Sequence, residues 1–235
     1  MTGVILLAGE GRRLGKKIPK CLNTVGGKTI LERQLSSLKK VGVEKAVCVV
    51  GYERQEVQRC VTELWSGDVR FVENDIYKTT NTIYSLWLAI RHIEDDFIYM
   101  NGDVVFRADL LGRLLSQPGD GVLGIVVKNC ESEEVKVVVE NGRIVEIGKD
   151  LPPARCLGEF TGIALFRKVM LDLFRQSLGN MVEGRGIVDK FFEAGLAEIV
   201  HDVNLQAADV SDIPCIEIDF LEDLRWAEER GFDFE

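Results

Sequence analysis

At 235 residues and a formal net charge of −9, the chain is long enough to bury a sizeable core and too acidic for a general nucleic-acid binder, which needs a basic surface. Six cysteines are scattered without a Cys-x-x-Cys pair and only two histidines are present, which excludes a zinc site and a disulfide framework as organising features. No apolar run reaches membrane-spanning length and no signal-peptide pattern opens the chain, so a cytoplasmic protein without membrane insertion is expected.

Val4-Ile5-Leu6-Leu7-Ala8 is an apolar run of strand length that passes directly into Gly9-Glu10-Gly11-Arg12-Arg13-Leu14-Gly15. A buried strand ending in a Cβ-free loop brings backbone N–H groups close to an anion. Arg12 and Arg13 within the loop, and Lys20 after Pro19, add positive charge where phosphate oxygens would sit. The stretch therefore reads as a triphosphate grip, with Leu7, Ala8, Gly9, Gly11, Arg12, Arg13 and Lys20 as nucleotide contacts. Gly-x-Gly after a strand also opens dinucleotide folds, where an acidic residue about twenty positions on should end the second strand. Glu32 is the nearest candidate, but it falls in a helical run. A turn with solvated arginines is the plain alternative.

Apolar spacing predicts a helix over 29–40, a strand over 46–50 ending at Gly51-Tyr52, a helix over 54–64 and a short strand over 69–72. This alternation implies a parallel sheet with right-handed crossovers and a ligand at the carboxyl ends of its strands. Thr80-Asn81-Thr82 precede a helix over 83–92. They can cap that helix, and Asn81 with Ser85 can also meet a nucleobase edge. A strand over 97–100 ends in Asn101-Gly102-Asp103, where a carboxylate beside a glycine suits Mg²⁺, with a solvated turn aspartate as the alternative.

A helix over 109–115 follows, then a strand over 122–128. Residues 133–139 and 144–147, joined across Asn141-Gly142, read as a hairpin that extends the sheet or forms a flap. Next come a core strand over 158–166, helices over 168–178 and 187–193, a strand from Ile199, a strand over 215–219 and a closing helix over 220–230. The fold class expected is α/β, a single Rossmann-like, mostly parallel sheet flanked by helices, with a small β-hairpin extension.

The loop Ala8-Gly9-x-Gly11-x-Arg13-Leu14 with Pro19-Lys20, the Thr80-Asn81-Thr82-x-Tyr84-Ser85-Leu86 segment, Asn101-Gly102-Asp103, Lys136, Ile147-Gly148-Lys149, Gly158-Glu159-Phe160-Thr161-Gly162 and Glu217-Ile218-Asp219 occur in an order that resembles the nucleotidyltransferase superfamily. They are most similar to its phosphocholine cytidylyltransferase branch, near the inositol-1-phosphate cytidylyltransferases. The resemblance implies a glycosyltransferase-A-like fold over 1–235, with a nucleotide-binding half to about 115 and an acceptor-binding half after it. It implies Arg13 and Lys20 on the triphosphate, Gly102 at the nucleotide, and Asp103 and Asp219 on a shared Mg²⁺, the two carboxylates converging from the ends of parallel strands. Lys136 and Lys149 are acceptor-phosphate contacts or solvated hairpin lysines, and Glu159 and Phe220 fall on the acceptor side. The expected partners are an NTP, CTP foremost, and a small phosphorylated alcohol. A homodimer is left open.

Residues 121–139 contain no aromatic side chain to cage a quaternary ammonium, whereas Glu131, Glu133, Glu134 and Glu159 offer hydrogen-bond acceptors. An alcohol phosphate or an amine-bearing phosphate is therefore expected to outperform phosphocholine. Against this enzyme stand a regulatory nucleotide binder that kept the fold without the chemistry, and a dinucleotide-dependent oxidoreductase.

Overall fold

The computed structural model describes residues 1–15 and 18–229. The first strand, β1 (Thr2–Leu7), is buried at every position, and its side chains alternate between two cores. After two short strands, β2 (Thr24–Val25) and β3 (Lys28–Thr29), helix α1 (Ile30–Lys40) starts at a Thr29 cap whose Oγ1 accepts the Glu32 N–H. Glu32 thus sits in a helical first turn, away from the second-strand position that a dinucleotide fold requires. Then come β4 (Lys45–Val50), α2 (Arg54–Leu64), β5 (Asp68–Glu73), α3 (Thr82–Ile90), β6 (Phe97–Asn101), β7 (Val104–Phe106) and α4 (Asp109–Ser116).

The second half begins with β8 (Gly121–Val127), the hairpin β9 (Lys136–Glu140) and β10 (Arg143–Gly148), and the long strand β11 (Gly158–Phe166). Helix α5 (Lys168–Gly179) runs on into a π-helical turn, Asn180–Gly184. The chain ends with α6 (Glu193–Ile199), β12 (Leu205–Asp209), β13 (Cys215–Glu217) and α7 (Leu221–Glu229). The helix expected over 187–193 is absent: that stretch is irregular and the helix starts where it was expected to stop. The strand expected from Ile199 begins at Leu205, because Ile199 still closes α6. Arg230, the expected end of the last helix, lies outside the described residues.

The main sheet has nine strands in the order β5-β4-β1-β6-β11-β8-β12-β10-β9. It corrects the mostly parallel expectation, because the sheet is mixed. β5, β4, β1 and β6 are parallel, β11 is antiparallel to β6 and β8, and the β9–β10 hairpin is antiparallel throughout. In the first half the strands joined by crossover helices run parallel, whereas in the second half β11 and the β9–β10 hairpin run antiparallel to their neighbours and β12 runs parallel to β8. The hairpin is no free flap, since β9 also pairs with β11.

One core lies between the sheet and α3, α5 and α6, and the other between the sheet and α1, α2 and α4. A third, smaller cluster of Leu14, Val25, Ile30, Val105, Ile218, Leu224 and Ala227 seats α7 and the two-stranded β13–β7 sheet against the loop after β1. Among the described residues, no helix is long and apolar enough to cross a membrane.

Among the described residues Lys136 is the one fully buried lysine, and its Nζ donates to the carbonyls of Glu131, Ser132 and Glu134 at 3.1, 2.8 and 3.0 Å. All three ammonium protons tie down the turn before β9, so neither sequence role, phosphate contact or solvated lysine, describes this side chain. Lys136→Ala leaves those carbonyls without a donor and opens a cavity. It should cost about 3 kcal/mol of unfolding free energy in urea titration. A loss below about 0.5 kcal/mol would show that water replaces the ammonium without penalty.

Candidate active site

A cleft of about 820 Å³ opens at the carboxyl ends of β1 and β6, large enough for a nucleotide and a small second molecule. This is where the strand order switches direction, with β4 on one side of β1 and β6 on the other. Ala8, Gly9, Gly11, Arg13, Lys20, Asn81, Ser85, Gly102, Asp103, Lys149, Glu159, Asp219 and Phe220 line it, and these are most of the residues singled out from sequence. Leu7 does not line it: its side chain is buried in the opposite core with Ile5. The side chain of Arg12 lies outside the described residues.

Two glycines set the geometry. Gly11 adopts φ +65°, and a Cβ there would stand 3.0 Å from the Lys20 Cβ, so the loop can fold onto Lys20 only without a side chain. At Gly102 a Cβ would lie 2.4 Å from the Leu6 carbonyl oxygen. Gly102 therefore serves the approach of β6 to β1, and it also lines the cleft. Gln34 reaches up from α1 and donates through Nε2 to Asn101 O at 2.7 Å and Val104 O at 2.9 Å, which pins the Asp103 turn from below.

Asp103, Glu217 and Asp219 offer carboxylate oxygens that lie within 4.8 Å of one another. The strands behind them are not parallel as expected: Asp103 sits in the turn from β6 to β7, and Asp219 follows β13, which runs antiparallel to β7. Ile218 N donates to Asp103 O at 2.9 Å, locking the two turns together. Asp223 Oδ2 accepts the N–H groups of Asp219 and Phe220 at 2.8 and 2.7 Å, which fixes Asp219 at the start of α7. Glu217 was missed as a site residue, yet strand alternation puts it on the same side as Asp219, with buried Ile218 between them.

Lys20 Nζ binds Asp103 Oδ2 at 2.6 Å and also Asp219 Oδ1, while Arg13 NH1 meets Asp219 Oδ2 at 2.9 Å. Burial alone would pull the Lys20 ammonium down, but the charges of Asp103 and Asp219 outweigh it and the net shift is upward. The neighbouring Asp103 charge, followed by partial burial and Asp219, pushes the Glu217 carboxyl up. Glu217 is largely exposed, so the like charges carry that shift more than loss of water. Asp103 Oδ1 is buried without a hydrogen-bond partner. A set of carboxylate oxygens with one orphan fits a hard divalent cation such as Mg²⁺.

On the opposite wall, Asn81 caps α3, its Oδ1 accepting the Thr82 N–H at 2.8 Å, while the residue also faces the cleft. The capping and ligand-facing roles coexist. Asn74, missed from sequence, donates to Thr80 Oγ1 and Ser85 Oγ at 3.0 and 3.1 Å and orders this wall.

At the far end, Lys128 bridges Glu134 and Glu159 at 2.6 and 2.7 Å, so two of the expected acceptor carboxylates are already paired. Glu133 lines the cleft and Glu131 does not. Lys149 places its ammonium 4.3 Å from the ring centroid of Phe191, and the Arg13 guanidinium lies 5.5 Å from that of Phe220. Glu193 completes this end. It is 4% exposed, and its Oε2 has no hydrogen-bond partner. Burial pushes its carboxyl up to about 7. Nothing in the sequence around Phe191-Phe192-Glu193 signalled a buried acid.

Residues 3–190 match a family model described as the MobA-like NTP transferase domain. The chain is 29% identical to the CMP-5'-(3-aminopropyl)phosphonate synthase of Streptomyces rubellomurinus, over 98% of this chain and 38% of that protein. It is 32% identical to the bifunctional IPC transferase and DIPP synthase of Rubrobacter xylanophilus, over 96% of this chain and 50% of that one. The chain thus spans half or less of these relatives. Its fold is similar to the inositol-1-phosphate CTP transferase of T. maritima, with a TM-score of 0.78 at 22% identity, covering 98% of this chain and 96% of that chain.

The buried acid has a measurable signature. Because its folded-state value lies above the ordinary 4.5, Glu193 keeps its proton in the fold after the unfolded chain has lost its own, so stability falls as pH rises from 4.5 to about 7. Glu193→Gln should remove that fall. Relative to wild type, the variant should gain about 3 kcal/mol between pH 4 and pH 8 in denaturant titrations. Parallel curves for the two proteins would mean that Glu193 titrates normally.

Proposed function

The chain belongs to the MobA-like NTP transferase domain family, and on that premise we propose that it is a Mg²⁺-dependent nucleotidyltransferase that moves a cytidylyl group from CTP to a small phosphorylated or phosphonylated acceptor, releasing pyrophosphate. The observation that carries this reading is the convergence of Lys20 and Arg13 with three carboxylates at the mouth of β1 and β6. Two relatives support it, one named for a CMP-phosphonate product and one as an IPC transferase. In this reading residues to about 115 hold the nucleotide and later residues the acceptor, with Asp219 returning to the nucleotide side.

An acceptor oxygen attacks the α-phosphorus, a new P–O bond forms, and the bond to the β-phosphate oxygen breaks as pyrophosphate leaves. No protein nucleophile is needed, so the chain acts by positioning and by charge. Gly9 and Gly11 let the loop backbone approach the phosphates. Lys20, 14% exposed in its side chain, is held at the carboxylate cluster and neutralises charge at the α-phosphate. Arg13, 64% exposed, would exchange its contacts with Asp219 and Phe220 for the outer phosphates. Asp103 and Asp219, with Glu217 beside them, would hold Mg²⁺, and the orphan Asp103 Oδ1 is available while Lys20 keeps Oδ2. A bound Mg²⁺ would supply charge neutralisation on the triphosphate.

Pyrophosphate release from CTP across a panel of phosphorylated alcohols and amines tests the reading, and NTP binding without turnover over the whole panel would favour a regulatory role. Lys20→Ala should lower kcat by on the order of a hundredfold, as for loss of one electrostatic stabiliser. Wild-type turnover in that variant would remove Lys20 from the mechanism. Asp103→Asn and Asp219→Asn should each raise the Mg²⁺ concentration needed for half-maximal rate. The double variant should lose far less than the product of the single losses. Independent, multiplying losses would argue against a shared ion.

A further inference from the structure

We propose that Glu193 selects the acceptor, and that it selects one whose phosphate or phosphonate is joined by a short alkyl chain to a primary ammonium. This rests on the transfer reading above and identifies the far end of the acceptor.

Most other carboxylates around the cleft have a cation. Asp103 and Asp219 share Lys20, Asp219 also meets Arg13, and Glu134 and Glu159 share Lys128. Glu217 stands beside Asp103 at the phosphate end. Glu193 is the deeply buried one, it lines the cleft, and its Oε2 has no hydrogen-bond partner. The Tyr99 hydroxyl, which feels the Glu193 charge, already donates to Asn101 Oδ1 at 2.5 Å. A carboxyl buried in this way ionises at a cost unless something brings it both a donor and a positive charge.

The chemistry of the donor follows. A hydroxyl of a polyol brings a hydrogen bond but no positive charge to balance Glu193 once ionised. A trimethylammonium brings charge but no N–H, so Oε2 would stay unbonded. A primary ammonium brings both. Lys149 already places an ammonium at this end, over the Phe191 ring, and its charge favours ionised Glu193. It makes no ion pair with Glu193, so this lysine is left to meet the acceptor's phosphorus oxygens while the acceptor's own ammonium takes Oε2.

The test compares phosphoethanolamine with propyl phosphate, which places a methyl where the ammonium would be, using CTP and Mg²⁺. Wild type should prefer phosphoethanolamine in kcat/KM by about tenfold or more, the worth of a charged hydrogen bond. Glu193→Gln should erase about tenfold of that preference while propyl phosphate changes by no more than about threefold. Glu193→Asp, which keeps the charge, should retain part of it. A preference unchanged in Glu193→Gln, an equal fall for both acceptors, or wild-type preference for phosphocholine or glycerol 3-phosphate would overturn the proposal. If wild type releases no pyrophosphate with any acceptor, the transfer reading fails by itself. Calorimetric binding of phosphoethanolamine then decides the role of Glu193: selective weakening in Glu193→Gln upholds it, and equal binding overturns it.

Discussion

Three carboxylates whose oxygens lie within 4.8 Å of one another repel, and each such pair costs on the order of 4 kcal/mol at an effective dielectric near 20. The architecture around the cleft mouth is arranged to hold that repulsion in place. Lys20 places one ammonium between Asp103 and Asp219, and it can do so because Gly11 lets the loop lie directly against it. Gln34 pins one carboxylate turn from beneath, and Asp223 fixes the other. The result is a charged cluster that is assembled before any ligand arrives. Electrostatic catalysis requires this, since charges that need not reorganise during the reaction stabilise it most.

The mixed sheet gives the cleft two different ends. Its parallel part delivers loops from one edge, all at strand carboxyl ends, and these carry the small backbone-rich turns that suit phosphates. Its antiparallel part brings walls instead of turns: β11 contributes Glu159 and Phe160, and the hairpin with its following loop contributes Lys149. One end is therefore dense in paired charge. The other combines aromatic faces, two carboxylates bridged by Lys128, the rim lysine Lys149 and a buried acid, surroundings that suit a small molecule with a polar end of its own.

Much of this was legible in the sequence because it is local. The strand-to-glycine loop, the helix faces and the Asn101-Gly102-Asp103 turn depend on neighbours a few residues apart, and strand or helix period reveals them. The mixed sheet was harder to read, since strand direction in the second half depends on pairings between distant segments. Lys136 shows the same limit at one residue: exposed hairpin lysines and buried turn-tying lysines look identical until the carbonyls around them are placed. Glu217 could have been found by alternation from Asp219. Glu193 could not, because α6, which carries it, packs against α3, α5 and β10 only in the finished fold. The helix boundary missed at residues 187–193 hid it further.

The Lys20–Asp219 pair joins residues 199 positions apart. Closing so long a loop is entropically slow, and contacts of this kind form after local ones. Asp219 is carried by β13, whose partner β7 and seat against α7 lie in the smallest of the three hydrophobic clusters. A chain emerging from the ribosome can therefore complete the β1–β6 platform, with its glycine loop and Asp103, well before the second aspartate exists. Until the final segment docks, Arg13 and Lys20 lack the Asp219 carboxylate that both meet in the finished fold. Docking of the last strand thus completes the charge balance of the cleft mouth, one late carboxylate serving two cations that were made some two hundred residues earlier.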